Sequence, residues 1–169
     1  MKILTLRILS SENSKFIRDI DIPDEKRFYN LHLGIQTACD YDCSQMTSFY
    51  ISNKKWEKLQ EISMVRMDED DKNAPELMKD TLLKNYLTKK GQRLLYLFDF
   101  FSVRMMFIEV VNVRSMTPEE AKLNYPRCIL SEGKAPPALI VDDYGIDPEA
   151  EDDDLLNADG FDNIDDLDI

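Results

Sequence analysis

Three cysteines and the only histidine are the residues whose chemistry would be most specific if the fold brought them together. Cys39 and Cys43 are four positions apart, whereas Cys128 and His32 lie elsewhere in the chain. Three thiolates and one imidazole are a ligand set that zinc accepts. The C-x3-C spacing is a weak signature, however, and Cys39 falls on the apolar face of a predicted helix, where buried and unreactive cysteine is the commoner case. We therefore expect no metal site.

His32 is also the one histidine that could serve as a general base. It stands between Leu31 and Leu33, and the sequence lacks the Gly-x-Ser-x-Gly elbow that would supply a nucleophile. The five glycines are scattered, so no loop has the closely spaced glycines that let a backbone approach a phosphate. These features predict a structural histidine, no catalytic residues and no bound cofactor.

One stretch near the C-terminus invites comparison with a calcium-binding loop. Placing Gly160 at the sixth loop position puts Asp159 and Asn157 at the fifth and third positions, as such a loop requires. Leu155 then occupies the first position, where a carboxylate is needed, and Asp166 replaces the bidentate glutamate. A specific calcium site is therefore not expected.

The charge of the 169-residue chain is concentrated in its last segment. The net charge is −12, with 33 acidic and 21 basic residues, yet 13 of the acidic residues and none of the basic ones lie in 141–169. Residues 1–140 thus hold 20 acidic and 21 basic groups, a formal charge of +1. Dense like charge repels itself and resists compaction. We expect one domain over 1–140 and a disordered acidic tail over 141–169.

The acidic tail also contains apolar residues, which a purely solubilising segment would not need. Phe161, Ile164 and Leu167 are three positions apart, so a short helix would present them on one side. Acidic and hydrophobic alternation is typical of segments that dock on partners. The composition leaves two alternatives open: a tail that docks on a basic protein surface, including lysine clusters of its own domain, and a tail that only keeps the protein in solution.

Whole classes of protein are disfavoured by the composition. No stretch approaches the roughly 18 consecutive apolar residues of a membrane helix. The N-terminal residues are interrupted by charge at Arg7 and lack a small-residue cleavage site, which argues against a secretory signal. Three cysteines suit a reducing compartment, so we expect a cytoplasmic protein with no membrane partner.

Hydrophobic periodicity predicts the elements that would position these residues. Strands are predicted over 2–9, 16–22, 48–52, 56–64, 92–101 and 103–113. The clearest helix is predicted over about 24–41, capped by Asp24. Shorter helical turns are predicted within 75–87 and after Thr117, and the chain beyond 125 is predicted to be irregular. The sequence therefore predicts an α+β fold, a mainly antiparallel sheet packed against one principal helix plus short helices. The predicted core comprises Phe28, Leu31, Ile35, Leu95, Phe98, Phe100, Phe107 and Ile108.

Four blocks, taken in order, resemble a known family. They are Lys15–Pro23, Phe28–Tyr41, Leu94–Val110 and the loop formed by Tyr125–Cys128 with Ala135–Pro137. The second block carries Leu-His and then Ile-Gln. The third carries Tyr-Leu-Phe-Asp-Phe, which is similar to the Tyr-x-Tyr-Asp-Phe-Gly-Asp-x-Trp-x-His pattern of the plasmid pRiA4b ORF-3-like family. Members of that family are often passenger proteins of insertion elements, and the resemblance covers about residues 1–140.

The departures from the family pattern are informative. Its Gly-Asp pair is replaced by Phe101-Ser102, its tryptophan position by Arg104 and its histidine position by Met106. Of the polar residues that could form a site, His32 and Asp99 are retained. The family offers no established activity to transfer, so the resemblance implies a divergent, non-catalytic branch.

The leading hypothesis is a non-enzymatic binding or interaction module with an acidic tail that either docks on a protein partner or keeps the protein in solution. One alternative is a nucleic-acid-associated accessory protein of a mobile element. It would require the basic residues Lys54, Lys55, Lys89, Lys90 and Arg93 to converge on one surface. The other is a degenerate enzyme that uses His32 and Asp99 as an acid–base pair. It would require the two side chains to lie within about 3 Å, or one water, of each other.

Overall fold

The computed structural model describes residues 1–68 and 70–140, and eight strands in this part of the chain form a single sheet. The strands are β1 (Lys2–Ser10), β2 (Ile17–Pro23), β3 (Ser48–Ser52), β4 (Lys58–Ser63), β5 (Glu76–Leu77), β6 (Arg93–Asp99), β7 (Arg104–Ser115) and β8 (Arg127–Glu132). Their order across the sheet is β5-β4-β3-β6-β7-β1-β2-β8. Only β4 and β5 pair in parallel, and the other neighbours are antiparallel.

One face of the sheet forms the main core. On β6, Leu94, Tyr96 and Phe98 are buried on this face because alternate strand residues point the same way. The helix α1 (Phe28–Ala38) contributes its own buried stripe to the same core. The Phe28 ring, for example, lies 5.4 Å from the ring of Phe49 on β3. The packing of α1 thereby fixes which of its polar side chains meet the sheet.

The predicted α+β class is wrong. The structure is dominated by one mixed eight-stranded sheet, and its described residues contain a single α-helix. The short helices expected within 75–87 and after Thr117 are single 3-10 turns at Met78–Asp80, Leu83–Asn85 and Glu120–Lys122. These segments are too short to bury an apolar stripe of helical period, so they do not form a helical layer.

The helix is also shorter at its start than the predicted 24–41. Asp24 does not cap it, since the Asp24 carboxylate instead accepts a hydrogen bond from the backbone N–H of Lys2 at 3.2 Å. The N-cap is Arg27, whose backbone N–H donates to the side chain of Asn30 at 3.0 Å. At the other end Asp40 has a φ of 60°, in the left-handed region, which ends the helical path.

A strand that the sequence did not predict closes one edge of the sheet. β8 (Arg127–Glu132) pairs antiparallel with β2. Its side chains are mostly exposed, so it lacks the alternation of apolar and polar residues that identifies a half-buried strand. The predicted irregular chain beyond 125 is therefore partly wrong.

Six of the eight predicted core residues are buried. Phe107 is half-buried, on the sheet face opposite α1, and Phe100 is 41% exposed in the turn after β6. The pairing of β6 with β7 shifts register between Leu97 and Asp99, which ends regular alternation just before Phe100. The burial of Phe100 was predicted wrongly for this reason.

No helix among the described residues has the length and apolarity needed to cross a membrane. The predictions for the acidic tail, including the docking residues Phe161, Ile164 and Leu167, fall outside the described residues.

Candidate functional site

His32 belongs to a buried polar cluster between α1 and β6. His32 and Gln36 are one helical turn apart, so both reach the hydroxyl of Tyr96 beneath the helix. The His32 Nδ1 atom lies 2.7 Å from this hydroxyl, and Gln36 Nε2 donates to it at 2.9 Å. The Thr47 hydroxyl lies 3.2 Å from the same Nδ1 atom, and the Gln36 side-chain oxygen accepts the N–H of Cys43 at 3.1 Å. The cluster joins the helix, a strand and the loop before β3.

Burial determines the protonation of this cluster. It lowers the pKa of His32 to about 4, so the imidazole is neutral at physiological pH. Burial likewise raises the pKa of the Tyr96 phenol, which therefore keeps its proton. With Nδ1 unprotonated, a neutral imidazole can accept the Tyr96 proton while the phenolic oxygen accepts from Gln36, so the Tyr96 hydroxyl is both donor and acceptor. The cluster is suited to holding the fold in place.

Asp99 belongs to a different cluster, an ion-pair network at the end of β6. Arg104 donates to the Asp99 carboxylate at 3.1 Å and to both carboxylate oxygens of Glu12 at 2.9 and 2.6 Å. Both Asp99 and Arg104 are buried, and the guanidinium of Arg104 lies over the ring of Phe98 at 4.7 Å. The hydrogen bond to Glu12 raises the pKa of Arg104. Asp99 is thus bound as the partner of a cation.

The two polar residues retained from the family pattern therefore have separate partners. His32 contacts Tyr96 and Thr47, whereas Asp99 contacts Arg104 and the backbone of Ser102. No hydrogen bond within residues 1–68 and 70–140 joins the two side chains, so the acid–base pair is not assembled in this structure.

The three cysteines lie in different environments. Cys39 is buried, and its burial raises the pKa of its thiol to about 12, while Cys43 and Cys128 are exposed. Across the described residues, no three His, Cys, Asp or Glu side chains are grouped closely enough to hold a metal ion.

The basic residues singled out in the sequence lie in, or directly beside, two turns that adjoin the same end of the β3–β6 pair. Ser52, the last residue of β3, pairs with Arg93, the first residue of β6. The Arg93 guanidinium donates to the carbonyl of Lys54 at 2.5 Å, which links the turn after β3 to the first residue of β6. Arg93 itself lies over the Trp56 ring at 4.6 Å and 3.4 Å from a carboxylate oxygen of Glu109. Lys54, Lys55, Lys89 and Lys90 are exposed around this junction.

The opposite end of β3 carries a surface that the sequence analysis did not identify. Here a groove of about 390 Å3 opens between the ends of β3, β4 and β6, and we call it the Met–Phe groove. Its apolar lining is Met46, Val65, Met67, Ala74, Pro75 and Phe100, and its polar lining is Glu61, Ser63, Asp68 and Asp71. Met67 is 90% exposed, and Met46, Val65 and Phe100 are each exposed by about two-fifths (40%, 41% and 41%).

Strand register explains why this groove forms. Ser48, the first residue of β3, pairs with Leu97 on β6 and with Ser63 on β4. The segments that carry Met46, Val65 and Phe100 leave these three strands at the same end of the sheet. The only signal in the sequence was the pair Val65 and Met67, apolar residues next to a run of acidic ones, because the other lining residues are remote along the chain.

Comparison with known proteins shows where the chain belongs. The family model described as plasmid pRiA4b ORF-3-like protein matches residues 2–147. The chain is a member of this family. The resemblance predicted from its ordered sequence blocks is thereby confirmed.

This family member is similar in fold to a solved structure. It is the crystal structure of a protein of unknown function from Methanosarcina mazei Go1, with a TM-score of 0.61 and 23% sequence identity. The alignment covers 77% of this chain and 69% of that chain. No curated protein matches the chain.

Arg104 is the residue that the sequence analysis placed at the tryptophan position of the family pattern. In the structure it supplies the cation that pairs with Asp99. In this family member the charge of the Asp99 carboxylate is thus balanced within the protein itself.

Proposed function

We propose that this pRiA4b ORF-3-like protein is a non-enzymatic binding module that contacts another protein through the Met–Phe groove. The observation that carries the proposal is the concentration of exposed apolar side chains there, above all Met67 and Phe100. Contiguous exposed apolar surface commonly marks an interaction site. Methionine suits such a surface because its flexible, polarisable side chain adapts to the shape of a partner.

The fate of the polar residues supports a binding role over a catalytic one. His32 is buried with a lowered pKa and shares its Nδ1 with Tyr96 and Thr47. Asp99 is paired with Arg104. A general base needs an accessible lone pair directed at a substrate proton, and both residues are instead committed to partners within the fold.

We further propose that the acidic tail over 141–169 assists binding. Its 13 carboxylates would attract a basic partner over a distance and so speed association. Phe161, Ile164 and Leu167 would add apolar contacts once the partner is bound. The alternative is a tail that only maintains solubility, and it predicts no change in partner binding on truncation.

Capture of partners with matched variants tests the proposal. The full-length protein, the variant Met67→Glu/Phe100→Glu and the control Leu59→Glu would be used as baits in the native cell. Leu59 is 63% exposed on β4 and does not line the groove, so its variant controls for a charge placed on exposed apolar surface. We expect a stoichiometric partner with the wild type and the control, and its loss with the groove variant. Equal capture by all three baits would refute the role of the groove.

A second candidate function is association with nucleic acid as an accessory protein of a mobile element. The observation that favours it is the junction of the turns carrying Lys54, Lys55, Lys89 and Lys90, with Arg93 between them. Basic side chains on one surface can neutralise several phosphates together. A shift assay with duplex and single-stranded DNA in low salt, using the wild type and a variant with all four lysines changed to glutamate, tests this candidate. Binding that is absent in the wild type, or that survives in the variant, would reject it.

A further inference from the structure

We infer that the segment occupying the Met–Phe groove is a basic, apolar stretch of polypeptide, with Lys or Arg flanking large hydrophobic side chains. This inference rests on the proposed function and adds the chemistry of the partner. It follows from the way in which apolar lining and acidic groups are combined at this end of the sheet.

The polar groups around the groove are mainly carboxylates. Glu61, Asp68 and Asp71 line it, and in the sequence positions 68–71 are four consecutive acidic residues. Arg66, on the same loop, is directed to the carbonyl of Pro75, to which its Nε donates at 3.0 Å. A partner that buries the groove would therefore place its own charges beside carboxylates, and cations are the complementary charge.

The turns that carry Lys54, Lys55, Lys89 and Lys90 are too far away to neutralise these carboxylates, and the loop of the groove itself has two cations, Arg66 and Lys72, against the four acidic residues 68–71. These turns adjoin Ser52, the last residue of β3, whereas the groove adjoins Ser48, its first residue. The two sites are therefore at opposite ends of the five-residue strand. At about 3.3 Å per residue the two ends are about 13 Å apart, which exceeds the Debye length at physiological salt. Nucleic acid or an anionic membrane surface would meet like charge at the groove, whereas a cationic peptide would not.

The apolar lining defines the rest of the partner. A cavity of about 390 Å3 has the size of sites that enclose a drug-sized ligand, which corresponds to a few large side chains. Met46, Met67 and Phe100 come from three separate loops, so the surface they form can adjust to apolar side chains of different shapes. An occupant with only basic residues would leave this lining exposed to water.

Model peptides test the inference directly. The probes are three 12-residue peptides that alternate leucine with lysine, leucine with glutamate, and serine with lysine. Binding is followed by NMR of the full-length protein carrying 13C-methyl methionine. Met46 and Met67 report on the groove, and the buried Met78 is the internal control. We expect the Leu–Lys peptide to shift the Met46 and Met67 methyl resonances, and the other two peptides to bind at least several-fold more weakly.

Variants separate the groove from other acidic surface. The variant Asp68→Asn/Asp71→Asn should weaken Leu–Lys binding about three- to tenfold, as loss of two exposed charge contacts implies. The control Glu25→Gln/Glu119→Gln removes the same charge from exposed positions elsewhere and should leave binding unchanged. Equal weakening by both variants, equal binding of the Leu–Glu peptide, or unshifted Met46 and Met67 methyls would overturn the inference. Shifts of these methyls with protein concentration alone would identify a second copy of the chain as the occupant and would also overturn it.

The outcome is distinguishable from failure of the proposed function. If Met67→Glu/Phe100→Glu abolishes capture of the native partner while the Leu–Lys peptide shows no preference, the groove is a binding site and only the inferred partner chemistry is wrong. If capture is unaffected by that variant, the proposed function itself fails.

Discussion

The hydroxyl of Tyr96 on β6 lies 2.7 Å from Nδ1 of His32 on α1, and it also accepts a hydrogen bond from Gln36 one helical turn further on. A single hydroxyl at the core face of the sheet thus satisfies two polar side chains of the helix. Since an unpaired buried polar group is costly, this arrangement favours one rotation and one position of α1 on the sheet. His32, which the sequence singled out for chemistry, thereby contributes to the packing of the helix.

Removing the Tyr96 hydroxyl should destabilise the protein. Tyr96→Phe leaves Gln36 Nε2 without this acceptor and His32 Nδ1 without this donor in a buried site, which costs about 1–3 kcal/mol in the free energy of unfolding. Urea denaturation followed by circular dichroism measures the change. Tyr29→Phe, at a residue that is 40% exposed on the same helix, is the control and should have almost no effect. Equal stability of the two variants would contradict the role of the hydroxyl.

The depressed pKa of His32 makes the stability of the protein depend on pH. Between pH 6.5 and about 4 the unfolded chain binds a proton at His32 that the folded protein does not bind. The contribution of neutral His32 to the free energy of unfolding is therefore complete above pH 6.5. It is lost as the pH falls, by up to about 3 kcal/mol near pH 4. The measurement is the difference in unfolding free energy between the wild type and His32→Asn, whose side-chain oxygen replaces Nδ1 as acceptor but does not titrate. On acidification the unfolding free energy of the wild type should fall more than that of His32→Asn. A difference between the two proteins that is independent of pH would show that His32 titrates normally.

Breaking the Asp99–Arg104 pair from one side should be more costly than removing it entirely. Arg104→Met leaves a buried carboxylate without its cation, and we expect a loss of about 3–5 kcal/mol. The double variant Asp99→Asn/Arg104→Met removes the stranded charge and should recover part of that loss. Thermal denaturation of the two variants and of Arg127→Met, an exposed arginine on β8, provides the comparison. A double variant less stable than Arg104→Met would show that the carboxylate is not the source of the cost.

Deleting residues 144–169 should leave the domain folded. Met1–Ala138 forms one compact unit with its own core, so the thermal midpoint of the truncated protein should change little. Partner capture should weaken, because the deletion removes most of the carboxylates of the acidic tail and the apolar residues Phe161, Ile164 and Leu167. Unfolding of the truncated protein would make the tail part of the domain. Capture that is undiminished would leave solubility as its only role.

The sequence predicted much of the sheet and little of its organisation. β3 was predicted with its observed bounds, Ser48–Ser52, because turn residues on both sides delimit a short run of β-formers. The parallel pairing of β5 and the edge strand β8 were missed, since both are short or mostly exposed and owe their conformation to pairing with a neighbour. The overall class was wrong for the same reason: local periodicity does not count strands that depend on tertiary contacts.

The candidate site was less accessible to sequence reasoning than the fold. His32 and Asp99 were named, but their actual partners, Tyr96 and Arg104, depend on how α1 sits on β6 and how β6 turns into β7. The Met–Phe groove could not be predicted at all from periodicity, because Met46, Met67 and Phe100 meet only through the register of three strands. Phe100 was assigned to the core, because a large apolar residue that follows a buried strand gives the same local sequence pattern whether it lies in the core or in an exposed turn.

The central claim is that the Met–Phe groove is the surface through which this protein meets its partner, and crosslinking in the native cell tests it most directly. A photoreactive phenylalanine analogue would replace Met67 in one full-length protein and Leu59 in another. Both positions are largely exposed, but only position 67 lines the groove. We predict a crosslinked product of one defined mass from position 67 and none from position 59. Products of the same mass and yield from both positions, or from neither, would contradict the claim.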